Sequence, residues 1–100
     1  MYLVRDIFIA KPGHAKQLVQ IFKATSPYFL SKGAKNVRIL TDVVSDFWKV
    51  IWEFEVEEIE DYFKMSSAVD SDIDVFTELQ GYKEHVVNGH REISKLIDKT

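Results

Sequence analysis

Three histidines, His14, His85 and His90, are the side chains of this sequence that ordinarily titrate near neutral pH. A metal centre would need two or three of them converging, typically at i, i+3 or i+4 on a helix or i, i+2 on a strand. His85 and His90 stand five residues apart across an expected helix stop, and His14 is far away in sequence, so no metal site is expected. His90, beside Arg91 and Glu92 at the base of the last strand, is the strongest candidate for an acid–base group. The plainer reading is an edge histidine. The carboxylates gather in two runs, Glu57, Glu58, Glu60, Asp61 and Asp70, Asp72, Asp74, and both read as solvated helix starts. The second run lacks the glycine and the closing glutamate of a calcium loop. The four glycines are scattered singly, so no phosphate-cradling loop is present, and no serine occupies a nucleophile elbow. With no cysteine, the chain has no disulfide, thiolate metal ligand or cysteine nucleophile.

The aromatic residues are the more useful signal. Trp48, Trp52, Phe54, Phe22, Tyr28, Phe29, Tyr62, Phe63, Phe76 and Tyr82 fall on the inner faces of the expected elements. Most of them serve as core. Buried Trp and Tyr also carry polar atoms that want partners. A pocket of such rings with Arg5, Trp52, Tyr62, Arg91 or His90 at its rim would suit a flat apolar molecule with a polar edge.

Composition narrows the class. The chain has 100 residues, 46% hydrophobic and 29% charged, with a net charge of −3. That length fits one domain, residues 1–100, and no linker or repeat divides it. No basic stripe marks a nucleic-acid partner. No apolar run approaches the ~20 residues of a membrane span. The opening Met1-Tyr2-Leu3-Val4-Arg5-Asp6 places charges where a signal peptide needs its apolar core, so a soluble cytoplasmic protein is expected.

The elements that would position these residues follow from periodicity and breakers. Tyr2 to Ala10 reads as a strand closed by Lys11-Pro12-Gly13, with Pro12 in the first turn of a helix. Ala15, Leu18, Phe22, Thr25 and Phe29 form a helical stripe that Pro27 should kink or split, with Ser26 as a new N-cap and Gly33 as the stop. Residues 36–44 and 47–56 read as a β-hairpin about Ser45-Asp46, its second arm carrying Trp48, Val50, Trp52, Phe54 and Val56 on one face. Glu57 and Glu58 open a helix, a second helical stretch starts near Ile73, Asn88-Gly89 ends it, and His90 to Ile97 is the last strand. The order β-α-β-β-α-β predicts an α+β ferredoxin-like plait, an antiparallel four-stranded sheet with helices on one face.

Two helices cover one face only, yet the strands are apolar on both. Leu3, Ile7 and Ile9 oppose Val4 and Phe8, and Trp52 and Phe54 oppose Phe47 and Ile51. Strands apolar on both sides are usually buried on both sides. A second copy packed face to face about a two-fold axis would supply the missing layer, giving a homodimeric α/β barrel.

Lys11-Pro12-Gly13-His14 after the first strand, Thr41-Asp42 in the hairpin, and Gly89-His90-Arg91-Glu92-Ile93 in the last strand resemble the dimeric α/β-barrel superfamily, in its NIPSNAP-like and antibiotic-biosynthesis-monooxygenase-like forms. The resemblance spans nearly the whole chain and rests on structural motifs. It implies a pocket between sheet and helices, and a range of roles from cofactor-independent oxygenase to proteins of no assigned activity. The Asn-His-Trp set of haem-degrading members is not carried over, because Asn36 and Asn88 fall at element ends. The expectation is a homodimer that binds a small aromatic or polyketide-like molecule without a cofactor. A monooxygenase-type reaction would use His90 or His85 as base and Arg5 or Arg91 to hold the substrate anion. The alternative is a non-catalytic stress-related or regulatory module. Haem binding would show as a Soret band lost on replacing one histidine.

Overall fold

The computed structural model describes residues 1–45 and 47–99. Its elements run β1 (Tyr2–Ala10), α1 (Ala15–Ser31), β2 (Lys35–Thr41), β3 (Lys49–Val56), α2 (Ile59–Val69), α3 (Ile73–Gln80), a 3-10 turn (Gly81–Glu84) and β4 (Val86–Lys95). The four strands form one antiparallel sheet in the order β2-β3-β1-β4. This is the expected α+β ferredoxin-like arrangement, with the second helical element divided between α2 and α3.

Side chains alternate across the strands, so the two sheet faces separate cleanly. Val4 of β1 and Val50, Trp52, Phe54 and Val56 of β3 are buried beneath the helices. Leu18, Phe22, Thr25 and Phe29, at spacings of four, three and four, form the buried stripe of α1. Tyr62, Met65 and Val69 do the same for α2. Phe22 stacks on Trp52 with ring centroids 4.6 Å apart, and Phe29 meets Trp52 edge-on at 5.0 Å. Such ring pairs add about 0.5–1.5 kcal/mol each beyond the area they bury.

Local expectations are corrected in five places. Pro27 neither kinks nor splits α1, which is continuous from Ala15 to Ser31. Pro27 is exposed, so the carbonyl it leaves unpaired one turn back, on exposed Lys23, can meet water. Ser26 is no cap: its hydroxyl donates to the Phe22 carbonyl and accepts from the Trp52 indole. Pro12 precedes the helix, and His14 is the N-cap after Gly13 turns the chain at φ 82°. Gly33 ends the helix as expected, at φ 106°. The hairpin arms are shorter than expected, with Phe47 and Trp48 left-handed at φ 66° and 59°, so Trp48 lies outside β3; Asp46 of the expected connector lies outside the described residues. Asn88-Gly89 stops nothing and lies within β4, paired with Ile9 and Phe8. A Cβ on Gly89 would stand 2.5 Å from Cδ1 of Phe8, so glycine is present here for space and not for a turn.

Candidate functional site

A cavity of about 230 Å³ lies between the helix-facing side of the sheet and the helices. Its floor comes from the sheet: Phe8 and Asp6 of β1, Trp52 and Phe54 of β3, Arg91 of β4. Tyr62 and Ser66 of α2, Leu79 of α3 and Tyr82 of the 3-10 turn close it from above. Half of the lining residues are aromatic; Asp6 and Arg91 form a polar end on the sheet, and Ser66, Asp70 and Gln80 add polar groups from the helical side.

That polar end is set by strand register. Asp6 and Arg91 are directly opposite on β1 and β4, so both side chains leave the sheet on the helix side. The Arg91 guanidinium grips the Asp6 carboxylate twice, Nε to Oδ1 at 2.5 Å and Nη2 to Oδ2 at 3.2 Å. Asp6 is buried, whereas half of the Arg91 side chain is exposed. The same guanidinium lies 5.4 Å from the Tyr62 ring centre, a cation–π contact. Hydrogen bonding to Asp6 raises the Arg91 pKa further, so the guanidinium stays charged.

The Tyr62 hydroxyl is enclosed, near Ser66 and Arg91 but without an aligned hydrogen bond to either. Desolvation raises its pKa above that of an ordinary tyrosine; the charge of Arg91 pulls the other way, and Asp6 raises it again. The pocket therefore presents a ligand with a buried phenol, a charged guanidinium with spare N–H groups, and a paired carboxylate. Among the described residues no group of three or more His, Asp or Glu side chains could hold a metal ion.

Of the residues expected at the site from sequence, Trp52, Tyr62 and Arg91 converge on this pocket. Arg5 does not. It pairs with Glu53 and Glu92 on the opposite sheet face, because an odd-numbered β1 residue points away from the helices. His90 leaves on that same outer face, 3.6 Å from Glu92 and well exposed, because it is paired with Ile7. His85 lies after the 3-10 turn, its Nδ1 2.9 Å from Nδ1 of His14. Neither His85 nor His90 lines the pocket. Sequence reasoning missed Asp6. Its signal was parity: an acid in step with inward-facing Val4, Phe8 and Ala10 must find a cation on a neighbouring strand.

No family model and no curated protein sequence matches the chain. Solved structures do match in shape. An uncharacterized NIPSNAP domain protein from Burkholderia xenovorans superposes with a TM-score of 0.78 at 9% identity, over 99% of this chain and 95% of its own. A NIPSNAP family protein of unknown function from Agrobacterium tumefaciens gives 0.82 at 10% identity, over 96% and 87%. SnoaB, a cofactor-independent oxygenase from Streptomyces nogalater, gives 0.78 at 8% identity, over 98% and 94%. At such identities the likeness is one of fold: the chain has the α+β architecture shared by NIPSNAP domain proteins and this oxygenase, the resemblance its sequence carries.

Proposed function

We propose that this protein binds a small, flat, partly aromatic molecule between the sheet and the helices, with the polar edge of the ligand against Arg91 and Tyr62. The observation that carries this reading is the enclosed Tyr62 hydroxyl without an aligned hydrogen bond, beside a charged guanidinium in a cavity half of whose lining residues are aromatic. An unsatisfied buried hydroxyl costs about 1–3 kcal/mol, and a ligand oxygen would relieve that cost. Size bounds the ligand. A volume of about 230 Å³ exceeds the roughly 150 Å³ cavity that takes up benzene and falls below the ~300 Å³ lower end for drug-sized ligands. One ring or two fused rings fit, and larger polyketide-like frameworks would need the α3 wall to move.

A second reading, cofactor-independent oxygenation, draws on the fold shared with SnoaB and on Arg91 as the group to hold a substrate anion. The pocket offers no histidine as base; its carboxylates are Asp6, engaged by Arg91, and Asp70 at the end of α2. The protein would act as a homodimer through the outer face of the sheet, where Leu3, Ile7, Ile9 and Ile51 stand without a covering layer in the single chain.

The test is a thermal-shift and Trp-fluorescence titration with one- and two-ring hydroxyaromatic acids. A rise of several degrees at saturation, lost in Arg91→Ala, is the expected result. No response to any of these probes, or the same response in Arg91→Ala, would overturn the reading. Oxygen uptake with a responsive probe would move the assignment from binding to oxygenation.

A further inference from the structure

His14 and His85, 71 residues apart, meet Nδ1 to Nδ1 at 2.9 Å where the β1–α1 turn passes the start of β4. The backbone brings them there. Lys11 N–H donates to the His85 carbonyl at 2.8 Å, and His14 N–H donates to the Lys11 carbonyl at 2.9 Å. Both residues are half-buried. Their ring centres are 5.2 Å apart, the separation of two imidazoles whose facing nitrogens lie on the line between the centres. Each Nδ1 is therefore aimed at the other, which is the geometry of one shared proton. A metal ion sits about 2.0–2.1 Å from each nitrogen. It would need the nitrogens further apart, or both rings turned toward a point off that line.

Three protonation states follow from the ring chemistry. With both rings neutral, one holds its proton on Nδ1 and donates it to the bare Nδ1 of the other. With one ring charged, the charged ring donates and the bond gains strength. With both charged, each Nδ1 carries a proton, no acceptor remains, and two like charges stand in contact. The contact thus survives the first proton and is lost with the second. The titratable side chains flanking the pair are Lys11 and Lys16 on one side and Tyr82, Lys83 and Glu84 of the 3-10 turn on the other. None of these lysines, nor Glu84, forms an ion pair among the described residues. The first four residues of β4 add no charge. The positive N-terminal end of α1 begins beside His14.

We infer that the His14–His85 pair is an acid-released latch on the pocket wall: when both imidazoles are charged, the segment formed by α3 and the 3-10 turn loosens and ligand affinity falls. The clause about ligand rests on the pocket reading above. His85 closes the 3-10 turn, its N–H donating to the Tyr82 carbonyl at 3.0 Å. Tyr82 and Leu79 line the cavity, while neither α3 nor the turn has a buried residue. With so little burial, one side-chain hydrogen bond is a large share of what fastens this segment.

Amide exchange of the ligand-free protein, expressed as protection relative to an unstructured chain, reads the latch directly. Histidines ordinarily charge between about pH 8 and pH 5. Over that range the protection of residues 73–84 should fall about three- to tenfold relative to β1, the worth of one hydrogen bond. In His14→Asn and in His85→Gln it should be flat, because an amide takes no second proton. Asparagine is a good N-cap, so His14→Asn keeps α1. His90→Gln should retain the wild-type fall. A flat wild type, or a fall retained in both His14→Asn and His85→Gln, would overturn the latch. A hydroxyaromatic acid that binds should lose affinity by the same factor in the wild type relative to His14→Asn, a comparison that cancels the titration of the probe. Equal losses in the two proteins would overturn the coupling to ligand. Protection that falls as expected while no probe binds at either pH would uphold the latch and overturn the pocket reading.

Discussion

Asp6 and Arg91, 85 residues apart in sequence, meet on directly opposed positions of β1 and β4 through two hydrogen bonds. The pair joins the sheet edge to its centre and forms the polar end of the pocket. Removing Arg91 leaves a buried carboxylate alone, whereas Asp6→Asn keeps an acceptor in place. Arg91→Ala should therefore cost about 2–3 kcal/mol, below the 3–5 kcal/mol of a fully buried pair because the guanidinium is half-exposed. Asp6→Asn should cost about 1–2 kcal/mol by the same reasoning. Urea denaturation of the two variants checks the ranking, and an Asp6→Asn loss larger than that of Arg91→Ala would contradict it.

Tyr62 separates stability from binding. Its hydroxyl is enclosed without an aligned partner, so Tyr62→Phe should be neutral or stabilising by up to about 1 kcal/mol. The same change should weaken a ligand that accepts from this hydroxyl. The pH dependence follows from the raised pKa. Below pH ~10 both folded and unfolded chains keep the phenolic proton, and the contribution of this group is whole. As pH rises past that value the unfolded chain ionises first, so stability falls until the folded-state pKa is passed. Melting temperatures from pH 8 to 11 should fall more steeply in the wild type than in Tyr62→Phe; parallel curves would place the alkaline loss elsewhere.

Pro27 lies within an unbroken α1 and removes one backbone hydrogen bond from it. Pro27→Ala restores that bond and gives back some unfolded-state entropy, for a net gain of about 1–2 kcal/mol. Calorimetry would show the gain as a higher melting temperature, and a lower one would mean that the proline ring contributes to packing.

Gly89 lies under the Phe8 ring, which packs on Phe22 and Tyr82 at centroid distances of 5.2 and 5.5 Å. Gly89→Ala should displace Phe8 and cost about 1–3 kcal/mol by overpacking. Because Phe8 and Tyr82 both line the pocket, the same variant should shift the Trp52 fluorescence response to ligand.

The contrast between Gly89 and Gly33 shows what the sequence could express. At Gly33 a helix stripe ended and a glycine followed, a local signal with a local cause. At Gly89 the signal looked the same, but the cause was an aromatic ring on another strand, which no local pattern reports. Element order and the α1 stripe were legible because periodicity is local. That Trp52, Tyr62 and Arg91 line a pocket was legible because bulky or charged side chains on inner faces are conspicuous. Arg5 and His90 were grouped with them on chemical type, while strand parity places both on the outer face. Asp6 escaped for the complementary reason: its partner lies 85 residues away, and only the β1–β4 register brings the two together.

Helix α3 has no buried residue, yet it and the 3-10 turn after it supply Leu79 and Tyr82 to the pocket wall. Few apolar contacts mean a low free energy of local opening. Ligand exchange should then be timed by this segment rather than by the sheet. Amide protons of Ile73–Gln80 should exchange with solvent well before those of β1, and a bound ligand should slow them most.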